Sequence, residues 1–200
     1  MNAASAASDA VVAETRAWVE RVVIGLNLCP FARAPQSKGR VRYVVSDATE
    51  PDALRRDLIG ELRALAEAPA ERIETTLLIA PQVLHGFDDY NDFLAEADRA
   101  LAGLRLRGVI QVASFHPQYR FVGTEADDLG NATNRSPYPT LHLIREASIE
   151  RAVAAWPDTD AIWQANLVTL QGLGAAGWAA LQQQCRADAA AAAPRPSPEA

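Results

Sequence analysis

The stretch Thr75–Pro81, TTLLIAP, is a short and almost unbroken apolar run closed by a proline. Such a run is what a buried strand requires, because neither face is left to water. Helical spacing flanks it on both sides. Leu54, Leu58, Leu62 and Leu65 recur at helical spacing before it, behind Pro51, a residue that a first helical turn tolerates. After it, Phe87, Tyr90, Phe93, Leu94, Ala97 and Leu101 form a second helical stripe.

Working outward, RVRYVVS (40–46) and GVIQVASF (108–115) are rich in β-branched residues and read as strands, and TLHLIRE (140–146) alternates as a fourth. A helix is expected from about Asp9 to Leu28, with Val12, Val19, Val22, Val23 and Leu26 on one side and Pro30 ending it. Helices close the chain: one carries Ile149, Val153 and Trp156. A second starts after the cap candidates Asp158 and Thr159 and stops near Gly172 or Gly174, and the last carries Trp178, Leu181 and Cys185. The expected fold is a single-domain α/β sandwich. About four strands make a mixed sheet, since a loop and no helix joins the last two, with helices packed on it and a helical C-terminus. The domain is expected over 9–186, with a flexible Ala/Ser segment at 1–8 and an Ala/Pro-rich tail at 187–200.

At 200 residues, 49% apolar and 22% charged, the chain has the composition of an ordinary soluble domain. A formal charge of −6 disfavours nucleic acid, because no basic stripe displaces phosphate counterions. No apolar run approaches a membrane span, and MNAASAASDA lacks the basic and apolar regions of a signal peptide. A cytoplasmic location with Cys29 and Cys185 as free thiols is therefore expected. A dinucleotide site is rejected, because the first strand–helix turn, SDATEPD (46–52), has no glycine for a pyrophosphate to approach. The identity of any other cofactor is left open by the sequence.

Three segments carry more chemistry than packing requires. In GLNLCPFARAP (25–35), Cys29 is either a nucleophile, given a helix N-terminus or the cation Arg33 nearby, or a small buried hydrophobe. In SFHPQYRFVG (114–123), His116 follows a strand end, where α/β sheets collect ligands. It reads as a general acid/base beside the anion-binding Arg120, or as a histidine satisfied by backbone. In NATNRSPYPTLHLIRE (131–146), Asn131, Asn134 and Arg135 precede Tyr138, held between two prolines, and His142 faces away from Leu141 and Leu143. Cys29, His116 and His142 suit zinc or copper, yet none lie at short ligand spacing, so no metal site is assigned.

The motifs GLNLCPFA (25–32), FHPQYRFVG (115–123), NRSPYPTLHLIRE (134–146) and ANLVTLQGLG (165–174) resemble a bacterial family catalogued as domain of unknown function 1415. The resemblance implies a small soluble bacterial protein and transfers no activity.

Three functions fit. The first is an enzyme acting on a small anionic substrate, with His116, Cys29 and Tyr138 catalytic and Arg33, Arg120, Asn131, Asn134, Arg135 and His142 binding. The second is a non-catalytic module for a metal or small molecule. The third is an interaction domain using Trp156, Trp163 and Trp178. The first requires Cys29, His116, Arg120, Arg135 and Tyr138 to converge on one hollow.

Overall fold

The computed structural model describes residues 3–155 and 159–192. Its sheet contains β1 (Val41–Val45), β2 (Thr75–Ile79), β3 (Ile110–Phe115) and β4 (Thr140–Arg145) in the order β1-β2-β4-β3. The β1–β2 pair is parallel, and β4 runs antiparallel to both its neighbours. As the expectation has it, the sheet is mixed and helices pack on it. Every residue of β2 is buried.

Two crossovers build the first helical layer: α3 (Pro51–Glu67) joins β1 to β2, and α4 (Phe87–Gly103) joins β2 to β3. The same handedness in both puts the two helices on one face. Leu54, Leu58, Leu62 and Leu65 of α3 and Tyr90, Phe93, Ala97 and Leu101 of α4 meet Leu78, Ile110, Leu141 and Leu143 there. Each fully buried large apolar side chain contributes about 1.5–3 kcal/mol. Arg145 closes the far end of this layer. Its guanidinium donates to the Leu65 carbonyl in the last turn of α3 and to those of Ala68 and Ile73 just past it, so these backbone acceptors are satisfied.

The opposite face takes α1 (Ala3–Trp18), a π-helical continuation at Val19–Ile24, and α6 (Thr159–Ala192), which breaks at Gly174, where φ is +68°. Trp18, Val19, Val22, Leu170 and Trp178 cover Leu77 and Ile79. Two short pieces complete the order: α2 (Arg33–Ser37) before β1, and α5 (Glu146–Ala155) directly after β4.

Helix extends into both segments expected to be tails, from Ala3 at one end and to Ala192 at the other. Alanine-rich sequence has the highest helix propensity, and Arg21 on the π segment pairs with Asp188 to tie the end of α6 down. Trp156, Asp158 and residues 193–200 lie outside the described residues. Among the described residues no helix is long and apolar enough to cross a membrane.

Tyr90 bolts α4 to the sheet. Its hydroxyl donates to the Thr140 carbonyl at 2.7 Å and accepts the Phe115 N–H at 3.1 Å. Tyr90→Phe strands both backbone groups in a buried site and is expected to cost about 1–3 kcal/mol. Urea unfolding should show a lower midpoint with an unchanged slope; an unmoved midpoint would deny the hydroxyl this role.

Candidate functional site

The second layer does not cover its face completely. Over the amino-terminal halves of β1 and β2 it leaves a cavity of about 510 Å³, within the range of roughly 300–1,000 Å³ typical of small-molecule sites. Its floor is one face of the sheet: Val41, Thr75, Leu77, Ala113, His142 and Ile144. Trp18, Val19 and Val23 wall one side, the turn from Cys29 to Ala32 another, and Ile149 and Ala152 of α5 a third. Glu74, Ser148 and Arg151 also line it, and the Arg151 side chain, 63% exposed, marks the solvent side. Apolar atoms therefore dominate the walls, with ions only at the mouth.

The π segment shapes the wall. In a π turn the chain bonds five residues back, as Leu28 N–H does to the Val23 carbonyl at 2.9 Å. Such wide turns occur frequently at functional sites. Gly25 permits the close packing that follows: a Cβ there would sit 2.2 Å from the Arg21 carbonyl oxygen. The helix expected to run to Leu28 thus leaves regular geometry at Val19, and the chain turns so that Cys29 and Phe31 reach the cavity.

Thr75, His142 and Cys29 put polar groups among these walls. His142 Nε2 lies 2.6 Å from Thr75 Oγ1, which in turn donates to the Leu143 carbonyl at 2.7 Å. A hydroxyl has one proton. With that proton on Leu143, Thr75 accepts from His142 Nε2–H, and Nδ1 keeps a bare lone pair with no partner among the described residues. Burial alone lowers the His142 pKa to about 4, so the ring is neutral. Cys29 is also neutral, because burial raises its thiol. The N–H groups of Phe31 and Ala32, which favour the thiolate, do not outweigh that effect. The Trp18 indole N–H is buried without an acceptor among the described residues, and its ring borders both this cavity and a smaller one beside α6.

The convergence expected from the sequence is not found: of the nine residues assigned from it, Cys29 and His142 line this cavity. The others divide into surface groups and loop supports. Arg33 and Arg120 are exposed. His116 is fully buried on the α4 side of the sheet; Nε2 meets the Leu84 carbonyl at 3.1 Å and Nδ1 accepts the Gln118 N–H at 3.0 Å. Its ring packs against Phe87 and Tyr90, and burial lowers its pKa. Asn131 Oδ1 accepts from the Phe121 N–H and the Thr124 hydroxyl, and its Nδ2 donates to the Glu125 carbonyl. Asn134 donates to the Ser114 carbonyl, and Arg135 to those of Tyr119 and Ala126. Tyr138 donates to Glu14 at 2.6 Å, joining the loop to α1; burial first, and this carboxylate second, raise its pKa.

The physical reason is common to all of them. Residues 116–139 connect two strands with little regular structure, so their backbone needs side-chain partners, and the polar residues supply them. What the sequence could have signalled was the apolar face on which His142 sits. Val41, Thr75, Leu77, Ala113 and Ile144 alternate out of the α3–α4 core, and small residues such as Ala113 cannot fill the space above them. Among the described residues no three His, Cys, Asp or Glu side chains are grouped to hold a metal ion. Trp178 belongs to the core, while Trp163 is 50% exposed.

A family model described as "Protein of unknown function (DUF1415)" matches residues 10–180. No curated protein and no solved structure matches the chain.

The buried His116 and the half-buried His142 predict how stability follows pH. An unfolded histidine titrates near 6.5, whereas both folded rings have lowered values, so between these limits the unfolded chain binds more protons. Their contribution is complete above about pH 6.5 and is lost as pH falls, for His142 down to about 4. For His142 the loss reaches about 1 kcal/mol per pH unit. His142→Phe should flatten the decline in unfolding free energy between pH 6.5 and 4; parallel curves for variant and wild type would contradict a neutral His142.

Proposed function

The chain belongs to this family of proteins of unknown function, and from the geometry of its cavity we propose that it is a binding module for a small, largely apolar molecule. The observation that carries this reading is the cavity itself: about 510 Å³, walled by apolar side chains from β1, β2, β3, β4, α1 and α5. A space of that size lined by Val, Leu, Ile, Phe and Trp gains affinity from apolar area removed from water, and its few polar atoms fix orientation.

This choice favours the binding module over the enzyme acting on a small anion. Arg33 and Arg120 are exposed and Arg135 is engaged by backbone carbonyls, so the cations expected to clamp an anion stand apart from the cavity. Thiol chemistry is disfavoured as well, because the reactive species is the thiolate and burial holds Cys29 protonated. An interaction domain built on tryptophan has less support, since Trp178 is in the core.

Ala113 on the cavity floor supplies the test. A solvatochromic apolar dye should bind the wild-type chain with one-to-one stoichiometry. Ala113→Phe, which fills the floor, should weaken it by roughly tenfold or more, equivalent to about 1.4 kcal/mol, at an unchanged circular dichroism spectrum. Equal dye binding by a folded variant would remove the cavity as the site. Cys29 gives a second measurement: at neutral pH it should react with a maleimide more slowly than a free cysteine, and more slowly again with dye bound. A rate above that of free cysteine would restore the nucleophile role.

A further inference from the structure

Resting on the cavity reading above, we infer that the molecule it takes carries a neutral hydrogen-bond donor, a hydroxyl attached to an apolar body, which is received by the bare Nδ1 of His142. The argument is one of proton accounting. Leu143 presents a carbonyl, which only accepts, 2.7 Å from Thr75 Oγ1, so the hydroxyl proton belongs there. Thr75 then has only lone pairs for the imidazole nitrogen at 2.6 Å, which must carry hydrogen. A neutral imidazole has one N–H, so its other nitrogen is an acceptor.

Thr75 and His142 share the sheet face on which Val41, Leu77, Ala113 and Ile144 form the floor. Elsewhere on this floor the side chains are aliphatic. An occupant without a donor desolvates Nδ1 and gives nothing back, which selects against pure hydrocarbons and ethers. A carboxylate fares worse, because it sets its own lone pairs against that of the ring. Arg151, the cation on the cavity's solvent side, is already engaged with Ser148 and faces Glu74 at 3.5 Å. The site thereby distinguishes an alcohol or phenol from its ether and from the corresponding acid.

A matched series of probes tests this: 4-hexylphenol, its methyl ether 4-hexylanisole, and 4-hexylbenzoate, titrated against wild-type protein at pH 7.5. The phenol should bind tightest, the ether roughly fivefold more weakly, and the benzoate weakest. His142→Phe should keep the ether's affinity and abolish the phenol's advantage. Should that variant fail to fold, nitrogen-15 spectra of the wild-type imidazoles decide alone: one ring should carry hydrogen on Nε2 only, and its Nδ1 resonance should move when phenol is added. Equal binding of phenol and ether, or an Nδ1 signal indifferent to phenol, overturns the donor inference and leaves the cavity reading standing. Tightest binding by the benzoate overturns it in favour of an anion site. If no member of the series binds or displaces the dye, both fall together.

Discussion

The handedness of the strand–helix–strand crossover is the constraint from which the rest of this molecule follows. Two successive crossovers, through α3 and α4, place both helices on one face of the sheet. Yet β2 is buried at all five positions, so its other face also requires a cover. The β3–β4 connection contributes Leu129, Ala132 and Tyr138 to that cover. The rest comes from outside the strands, from the N-terminal α1 and the C-terminal α6, packed together as a second layer. Contacts this distant in sequence are held by specific ties: Asn166 donates to the Leu28 carbonyl, and Arg21 meets Asp188.

A layer assembled from the two ends of the chain need not match the sheet's area. Where α1 and α6 stop short, the sheet presents a bare aliphatic floor, and the gap is partly closed by a π turn, the Cys29–Ala32 bend and α5. The π turn matters because it aims residues differently from a regular helix. Its wider step swings Val23 and the following bend over the strands, where an α-helix would have continued past them. Filling the gap with larger residues would raise stability by burying more area. The chain instead keeps Ala113 on the floor and Ala32 and Ala152 in the walls, which preserves an open volume at some cost in packing.

The sequence was informative wherever periodicity carried the signal. The Leu54–Leu65 and Tyr90–Leu101 stripes, the β2 run and the mixed sheet were all legible, because burial on one layer imposes a repeat that side chains display. Element ends were less so: alanine neither marks an apolar stripe nor breaks a helix, and α1 and α6 accordingly extend further than their patterned parts. The cavity was nearly invisible. It is made by what is missing between layers, and an unfilled volume leaves no motif. The loop 116–139 misled for the opposite reason. Its His, Asn, Arg and Tyr residues are crowded together because an irregular connection consumes side-chain donors and acceptors in supporting itself.

The contrast between His116 and His142 shows why residue type alone does not locate a site. Both are neutral, both adjoin strand ends or strand centres, and burial depresses the pKa of both. For His116, one nitrogen meets the Leu84 carbonyl and the other the Gln118 N–H, so the ring has no bonding capacity left, and it packs between Phe87 and Tyr90 as part of the core. For His142, Thr75 occupies one nitrogen, and the other has no partner among the described residues. What a protein offers a ligand is the capacity remaining after its own backbone and side chains have been satisfied. By that measure the chemistry-rich loop offers little. The aliphatic floor, poor in polar groups, leaves one lone pair uncommitted.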